Sequence, residues 1–396
     1  MSYKPHSKCR ICGNTELKPV FDLGVQALAN DFVKDGEPRQ GHYPLKVLFC
    51  ERCTLSQLSV VVDPNVLYLN YKYVTSTSQT MKEHFARLLD EFAREACGDR
   101  IVEIGSNDGA FLREAQTKGW KVLGIDPACN LETSGVETIL SFFDCETSKQ
   151  ARTHIGQPAV ILARHCVAHM DNLMEFCWAL EELAGQETLI AIEIPYMRDT
   201  LNRVEFDQIY HEHLNFISLH SLEHLLKGTP FHIHRVIHYA LHGGSVLIML
   251  RRNESRRGPT VSEYVREDKT TLEDWRSFSI KARQKIADMK VVVLARQGTV
   301  CGFGASAKAS VWIQACGFVE SELRYVTDNS PYKPGCLIPG SDIPVAPQSR
   351  LTEVGVPDYA VLFAWNFRDE VLTSQKLWRD LGGRFIIPTA AGVEII

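Results

Sequence analysis

The chain has 396 residues, which at about 150 residues per domain corresponds to two to three domains and exceeds what one hydrophobic core usually serves. Hydrophobic residues at 45% and charged residues at 23% exclude a mainly disordered chain, and a net charge of −5 argues against a general nucleic-acid binder, which carries a basic excess. No apolar run reaches the ~18 residues of a membrane span, and the opening MSYKPHSKCR has no signal-peptide stretch, so a cytoplasmic setting without membrane or nucleic-acid partners is expected.

In that setting the 12 cysteines are not a disulfide framework, because thiols stay reduced. Residues 1–75 hold paired cysteines, short strand-like runs and turn residues at Gly13-Asn14, Asp35-Gly36 and Asp63-Pro64. The two CxxC pairs, Cys9/Cys12 and Cys50/Cys53, place four thiolates on two facing turns, the soft tetrahedral set that suits Zn²⁺. A closed four-cysteine site has no open position for substrate, so the zinc is expected to be structural, one per chain, and a block this small depends on it for folding. Arg10 and Arg52 are positioned to offset the surplus negative charge. The scattered cysteines, such as Cys166, Cys177 and Cys316, read mostly as small buried hydrophobes.

Residues 76–252 alternate helix-like and strand-like segments. Short, apolar, β-branched runs at 101–104, 121–125, 137–142, 159–163 and 188–194 read as buried parallel strands. Segments 81–97 and 173–183 read as amphipathic helices. Runs 231–239 and 245–250, separated by Gly243-Gly244, predict an antiparallel hairpin. Alternation places His232, His234 and His238 on one face of its first strand; with His242 they read as a solvated or mutually satisfied set. Five βα strands followed by a hairpin is the order of a class I methyltransferase sheet, whereas a dinucleotide-binding domain more often continues in βα units. Residues 251–258 read as a linker, 261–289 as one charged helix or two, and a second α/β pattern follows with strands at 299–303, 323–327, 359–364 and 384–387. The expected organisation is therefore a zinc-binding block at 1–75, an α/β methyltransferase-like domain at 76–252 and a second α/β block at 253–396.

The first strand of the middle block runs into a glycine-rich turn, Glu103-Ile104-Gly105-Ser106-Asn107-Asp108-Gly109. Its E-x-G-x-x-x-G spacing departs from the G-x-G-x-x-G turn that brings a helix N-terminus to a pyrophosphate. S-adenosylmethionine has no phosphate and needs room for its adenosine and methionine parts. Gly105 and Gly109 supply room, Glu103, Asn107 and Asp108 are polar grips, and Asp126 at the tip of the next strand suits two ribose hydroxyls. An NAD site, or a structural turn with a surface acid, are the alternatives.

Residues 205–216, EFDQIYHEHLNF, place Tyr210, His211, Glu212 and His213 in a row after the fifth strand, and His169 follows the fourth on the same sheet edge. Ligands bind at that edge of open parallel sheets. Three readings stay open: acid–base chemistry on carbon, with a His as base, a Tyr donating to an enolate and a Glu orienting the His; a metal held by His-x-His; or side chains that satisfy one another.

The paired CxxC motifs, EIGSNDG, GIDP, EFDQIYHEH, HGGS and GFGASAK (Gly302 to Lys308) together closely resemble the nucleotide-sugar C-3′-methyltransferases over nearly the whole chain. The resemblance implies a zinc domain, a class I domain binding S-adenosylmethionine and a C-terminal Rossmann-like domain that binds the nucleotide sugar. It implies methylation at C3′ of a nucleoside-diphospho-4-keto-6-deoxy sugar, dTDP-linked or GDP-linked, by a monomer or weak homo-oligomer. Carried over, the base falls on His213, its companions on Tyr210, Glu212 and His169, and the zinc ligands on Cys9, Cys12, Cys50 and Cys53; Tyr71 and Tyr73 match a segment near the active site. In the C-terminal block, Gly302 and Gly304 with Ser306 and Lys308 form a strand–turn–helix cradle for a diphosphate, with glycines kept for tight packing alone as the alternative, and Lys333 lies in a loop placed to close over the nucleotide. Asp328, after that turn, keeps a second reading open: a nicotinamide-dependent nucleotide-sugar oxidoreductase with a structural zinc. A non-catalytic zinc scaffold is the third.

Overall fold

The computed structural model describes residues 3–39, 41–69, 79–131, 133, 135–241, 243–252, 259–353 and 355–396. The expected boundaries at 75/76 and 252/253 fall at segments 70–78 and 253–258, and Tyr71, Tyr73, His242 and most of the expected linker also lie outside the described residues.

The middle block is a seven-stranded sheet ordered Phe231–Tyr239, Ser245–Arg252, Leu189–Pro195, Val160–Arg164, Arg100–Ile104, Lys121–Ile125, Thr138–Ile139. The last five pair in parallel, and Ser245–Arg252 runs antiparallel to Leu189–Pro195. Central strands such as Val160–Arg164 are buried at every position, because helices cover both faces. The third expected strand is shortened to Thr138–Ile139 at the sheet edge; Leu140 and Phe142 beyond it are exposed and carry the chain toward the cleft. A register shift between Ile233 and Arg235 breaks the alternation of the first hairpin strand. His232, His234 and His238 therefore do not share one regular face; His234 and His238 pair with Glu95 and Asp199.

The C-terminal sheet is ordered Val345–Pro347, Val326–Asp328, Val300–Phe303, Tyr359–Leu362, Arg384–Thr389, Gly392–Ile395, parallel except for the last strand. The charged stretch before it is two helices, Pro259–Glu267 and Leu272–Leu294. Thr271 and Asp274 form a capping box that starts the second one afresh.

The N-terminal block builds an antiparallel sheet of Lys18–Ala27, His42–Phe49 and Ser56–Leu58, and its fourth strand, Asn215–Phe216, comes from just after the histidine run. Val33–Lys34 likewise pairs with Cys336–Leu337 of the C-terminal block. One apolar core accordingly runs through all three blocks, with Phe21 and Phe49, Phe206 and Ile209, Trp275 and Phe278, and Trp312 and Phe363 among its members. The carboxyl ends of the two parallel sheets and Asn30, Pro64 and Tyr68 of the N-terminal block meet around a large cleft.

Candidate active site

The four expected zinc ligands converge. Their sulfur atoms lie within 4.8 Å of one another, with Cys9–Cys53 at 3.4 Å and Cys12–Cys50 at 3.5 Å. A tetrahedron with 2.3 Å Zn–S bonds has edges of about 3.8 Å, so the set fits zinc with little adjustment. Gly13 and Thr54, each just after a CxxC pair, take positive φ and return their amides to the carbonyls of Cys9 and Cys50. This gives two equivalent turns. The expected charge partners behave differently: Arg52 is exposed, and the buried Arg10 guanidinium turns to Asp171 rather than to the thiolates. Among the other cysteines, Cys177, Cys301, Cys316 and Cys336 are buried, whereas Cys97 and Cys129 are exposed.

The cleft holds a cavity of about 450 Å³, lined from the middle sheet by Gly105, Asn107, Asp126, His165, Cys166 and His169, among others. At Gly105 (φ +70°) an added Cβ would stand 2.8 Å from Cys166 Cβ, so only glycine fits this turn. Asp126 accepts from the amides of Asn107 and Ala128, both at 2.8 Å, which fixes its carboxylate at the strand tip. Burial outweighs those bonds and raises its pKa. Gly105, Asn107 and Asp126 thus lie where a grip on S-adenosylmethionine was expected, and the walled turn and held acid fit that group.

Glu103, Asp108 and Gly109 do not line the cavity. Glu103 is fully buried and accepts from Arg164 Nε at 3.0 Å and Nη2 at 2.8 Å. It lies on the helix-covered face of the sheet, where Arg164 also meets Phe85 and Phe111, and desolvation pushes its carboxyl up to about 7. Asp108 pairs with Arg113, and Gly109 starts the following helix, close against Val136. These three build the turn; they do not reach the space it encloses.

Tyr210 and His213 also line the cavity, with the His213 ring beside that of His169. Gln208, the last residue of the 3₁₀ turn Phe206–Gln208, supplies the anchor. Its carbonyl accepts from His213 Nδ1 at 2.7 Å, and the Tyr210 hydroxyl reaches Nε2 at 2.6 Å. The carbonyl requires the proton on Nδ1 and leaves the lone pair on Nε2, where it accepts from the Tyr210 hydroxyl. Burial, joined by His169, keeps the His213 pKa well below 6.5. The His169 ring lies 5.3 Å from that of His213 and stacks on Tyr68 at 5.5 Å, and desolvation brings it down to about 4.

The expectation that Glu212 orients the histidine gives way to the Gln208 carbonyl. Glu212 is buried behind the wall, where its carboxylate accepts from Asn30 Nδ2 at 2.7 Å, and it is Asn30 that lines the cavity. His211 is buried away from the cavity against the Tyr43 carbonyl, so the side chains of the row diverge and His211 and His213 do not form a metal-binding pair.

From the C-terminal block, Ser306, Lys308 and Lys333 line the same cavity. Ser306 caps the helix Ala307–Cys316. Lys308 lies over the Trp365 ring at 4.3 Å and bonds Asn366, and Lys333 bonds the Ala305 carbonyl at 2.7 Å. Burial lowers the pKa of both lysines. Gly302 and Gly304 are packing glycines: added Cβ atoms would meet Phe363 and Val326 at 2.8 Å and Ala364 at 2.6 Å. Neither they nor Asp328 reach the cavity, which removes the features on which the nicotinamide reading leaned.

A group that the sequence did not single out also faces the site. His165, with φ +52°, follows the fourth strand and lines the cavity; behind it the fully buried Glu193 bonds His84 at 2.8 Å. His84 lies in the helix Gln79–Glu95, too far along the chain for any local motif to join the three.

Residues 9–68 match a family model described as "Putative zinc binding domain", 77–236 a methyltransferase domain, and 240–389 a C-methyltransferase C-terminal domain. The C-methyltransferase NovU of Streptomyces niveus is 33% identical over 404 residues, covering 97% of this chain and 96% of that protein. Among solved structures, a SAM dependent methyltransferase from Archaeoglobus fulgidus is 17% identical with a TM-score of 0.34, over 49% of this chain and 86% of its own. The PH0226 protein from Pyrococcus horikoshii is 12% identical with a TM-score of 0.34, over 46% and 95%. With its four-thiolate centre, its methyltransferase sheet and a relative matched from end to end, the chain belongs to the S-adenosylmethionine-dependent C-methyltransferases that carry an N-terminal zinc domain.

Proposed function

We propose that the enzyme methylates C3′ of a nucleoside-diphospho-4-keto-6-deoxy sugar, with His213 as the base. The observation that carries this reading is the His213 ring: Nδ1 tied to the Gln208 carbonyl, Nε2 left as the acceptor of the Tyr210 hydroxyl, and both side chains lining the cavity. S-adenosylmethionine supplies an electrophilic methyl group on a sulfonium. Gly105, Asn107 and Asp126 hold it from the middle sheet. Ser306, Lys308 and Lys333, two of them cationic, take the diphosphate of the sugar nucleotide.

The C4 carbonyl of such a sugar acidifies the hydrogen on C3. His213 Nε2 takes that proton and its electron pair passes into the enolate. The Tyr210 hydroxyl, released from Nε2, donates to the enolate oxygen. C3 forms its bond to the methyl carbon as the sulfur–carbon bond breaks, the carbonyl re-forms, and the proton on His213 leaves to solvent. His169, neutral at pH 7, packs beside His213 without adding charge.

Mixing the enzyme with S-adenosylmethionine and dTDP- or GDP-4-keto-6-deoxyhexoses is expected to give a product one methylene heavier, with the new carbon on C3 by NMR. The ketone acidifies C5–H as well, so a methyl on C5 overturns the regiochemistry, and no product from either sugar overturns the substrate class.

The depressed pKa of His213 also sets a pH profile. A group held below its usual value keeps its free lone pair as pH falls, and loses it only through the lower value. We expect kcat/KM to stay level from pH 7.5 to 6, where an ordinary imidazole of pKa ~6.5 would cost about fourfold. An acid limb centred at 6.5 would show that His213 does not titrate as the buried base.

A further inference from the structure

We propose that the zinc turn is a positioning element of the reaction centre, and that Arg10 is the residue through which it acts. This rests on the reading of His213 and His169 as reaction-centre residues. Arg10 lies between two thiolate ligands, Cys9 and Cys12, yet its side chain is fully buried and directed away from them. Its Nε donates to Asp171 at 2.9 Å, two residues after His169. Its Nη1 donates to the Leu58 carbonyl at 3.1 Å and to the Leu214 carbonyl, next to His213, at 3.5 Å. One planar fork thus spans the two segments that carry the facing histidines.

The frame is closed by two amides. Gln57 accepts from the Arg10 backbone amide and donates to the Lys8 carbonyl, both at 2.9 Å, so it reads the shape of the first metal-binding turn. It pairs in strand register with Asn215, and the Leu58 amide bonds the Leu214 carbonyl at 2.9 Å. Asn215 in turn donates to the carbonyls of Met170, at 2.6 Å, and Ala168, at 3.4 Å. Residues 168–171 and 213–215 are therefore stitched to each other and, through Arg10 and Gln57, to the chain that holds the metal. The His169 and His213 rings inherit their 5.3 Å spacing from that frame. A zinc site that only stabilised a separate block would not need a buried guanidinium leading out of it.

The test is Arg10→Lys in the full-length zinc enzyme, with Asn215→Ala alongside. Lysine keeps the charge but cannot span both segments. Zinc content should remain one per chain, and S-adenosylhomocysteine affinity should stay within about twofold, since Asp126 and Gly105 lie outside the frame. Turnover is expected to fall roughly 30- to 100-fold with little change in KM for the sugar, the signature of a misplaced base. Amide exchange across 168–171 and 213–215 in the substrate-free enzyme should quicken about tenfold or more. Exchange is read without substrate, so it tests the frame even if His213 proves not to be the base, which the His213→Asn variant decides separately. Unchanged exchange, or unchanged turnover with faster exchange, overturns the proposal. If Arg10→Lys loses zinc, Asn215→Ala, which touches no thiolate turn, decides between the outcomes by the same two readouts.

Discussion

Replacing His213 with Asn should reduce turnover by about 10³- to 10⁴-fold, the upper range for general-base catalysis, while S-adenosylhomocysteine still binds as in the wild type. The substitution is chosen for its geometry. An asparagine amide can reproduce the donation from Nδ1 to the Gln208 carbonyl, now 2.7 Å long, but offers no basic lone pair where Nε2 stands. The backbone of the loop is held independently, by the His213 amide on the Tyr210 carbonyl and the Leu214 carbonyl on Leu58. The effect is thus confined to proton transfer. Two measurements separate it from a general loss of fit: exchange of the C3 hydrogen with deuterated water, which should vanish with turnover, and titration with S-adenosylhomocysteine, which should not change. Exchange at the wild-type rate in the variant would take the role away from His213. Tyr210→Phe should be milder in exchange than in product formation, because the hydroxyl is assigned to the enolate rather than to the proton taken from carbon.

Much of the frame could be read from local pattern. The strands of the middle sheet, the helix Leu173–Leu183 and the hairpin all show in residue periodicity, since buried parallel strands are short β-branched runs and amphipathic helices repeat every three to four residues. The cysteine pairs were legible for the same reason: two ligands on one turn are a local feature. The histidine run was legible only as a cluster. Four polar residues in a row cannot all point one way, and spacing does not say that His213 and Tyr210 take the cavity while His211 and Glu212 go to the Tyr43 carbonyl and to Asn30. That division is imposed by the N-terminal sheet packed behind the loop.

What the sequence hid is mostly long-range pairing. Glu103 reads as a cofactor grip because it stands two residues before Gly105, but alternation along the strand turns it to the helix-covered face of the sheet, where Arg164 from the neighbouring strand, itself over Phe85 and Phe111, meets it. Arg10 reads as a counter-charge to zinc because it is adjacent in sequence to a ligand, yet its partners Asp171 and Leu58 come from distant parts of the chain. Gly302 and Gly304 resemble a phosphate turn, and only the contacts with Phe363, Val326 and Ala364 show that close packing demands them. In each case a nearby motif suggested one use of a side chain, and a distant element, brought in by the fold, fixed another.

Removing zinc should have the widest consequence. Chelation is expected to release one zinc per chain and to unfold the N-terminal sheet, with turnover lost in step. In zinc-finger peptides a structural site of this kind contributes an apparent ~10–16 kcal/mol at neutral pH, comparable to the ~5–15 kcal/mol by which a whole domain is stable. Among the described residues, the N-terminal block has only a small core to itself, around Leu28, Tyr43, Val62 and Leu67. Phe21 and Phe49 of its sheet pack instead in a cluster shared with Trp275, Phe278 and Phe206, and the fourth strand is lent by residues 215–216. Loss of the metal therefore exposes surface on the other blocks and withdraws the partner of the strand that follows His213. The expected readouts are proteolytic cleavage within 3–69, a lowered Tm for the rest of the chain and lost turnover, with recovery of all three on adding zinc back. Cys50→Ser, which removes one thiolate, should reproduce the loss at ordinary zinc concentrations and be partly rescued at high zinc. A metal-free protein that kept its Tm and its turnover would show instead that the four thiolates are dispensable, and that packing against the shared core is enough to hold the sheet.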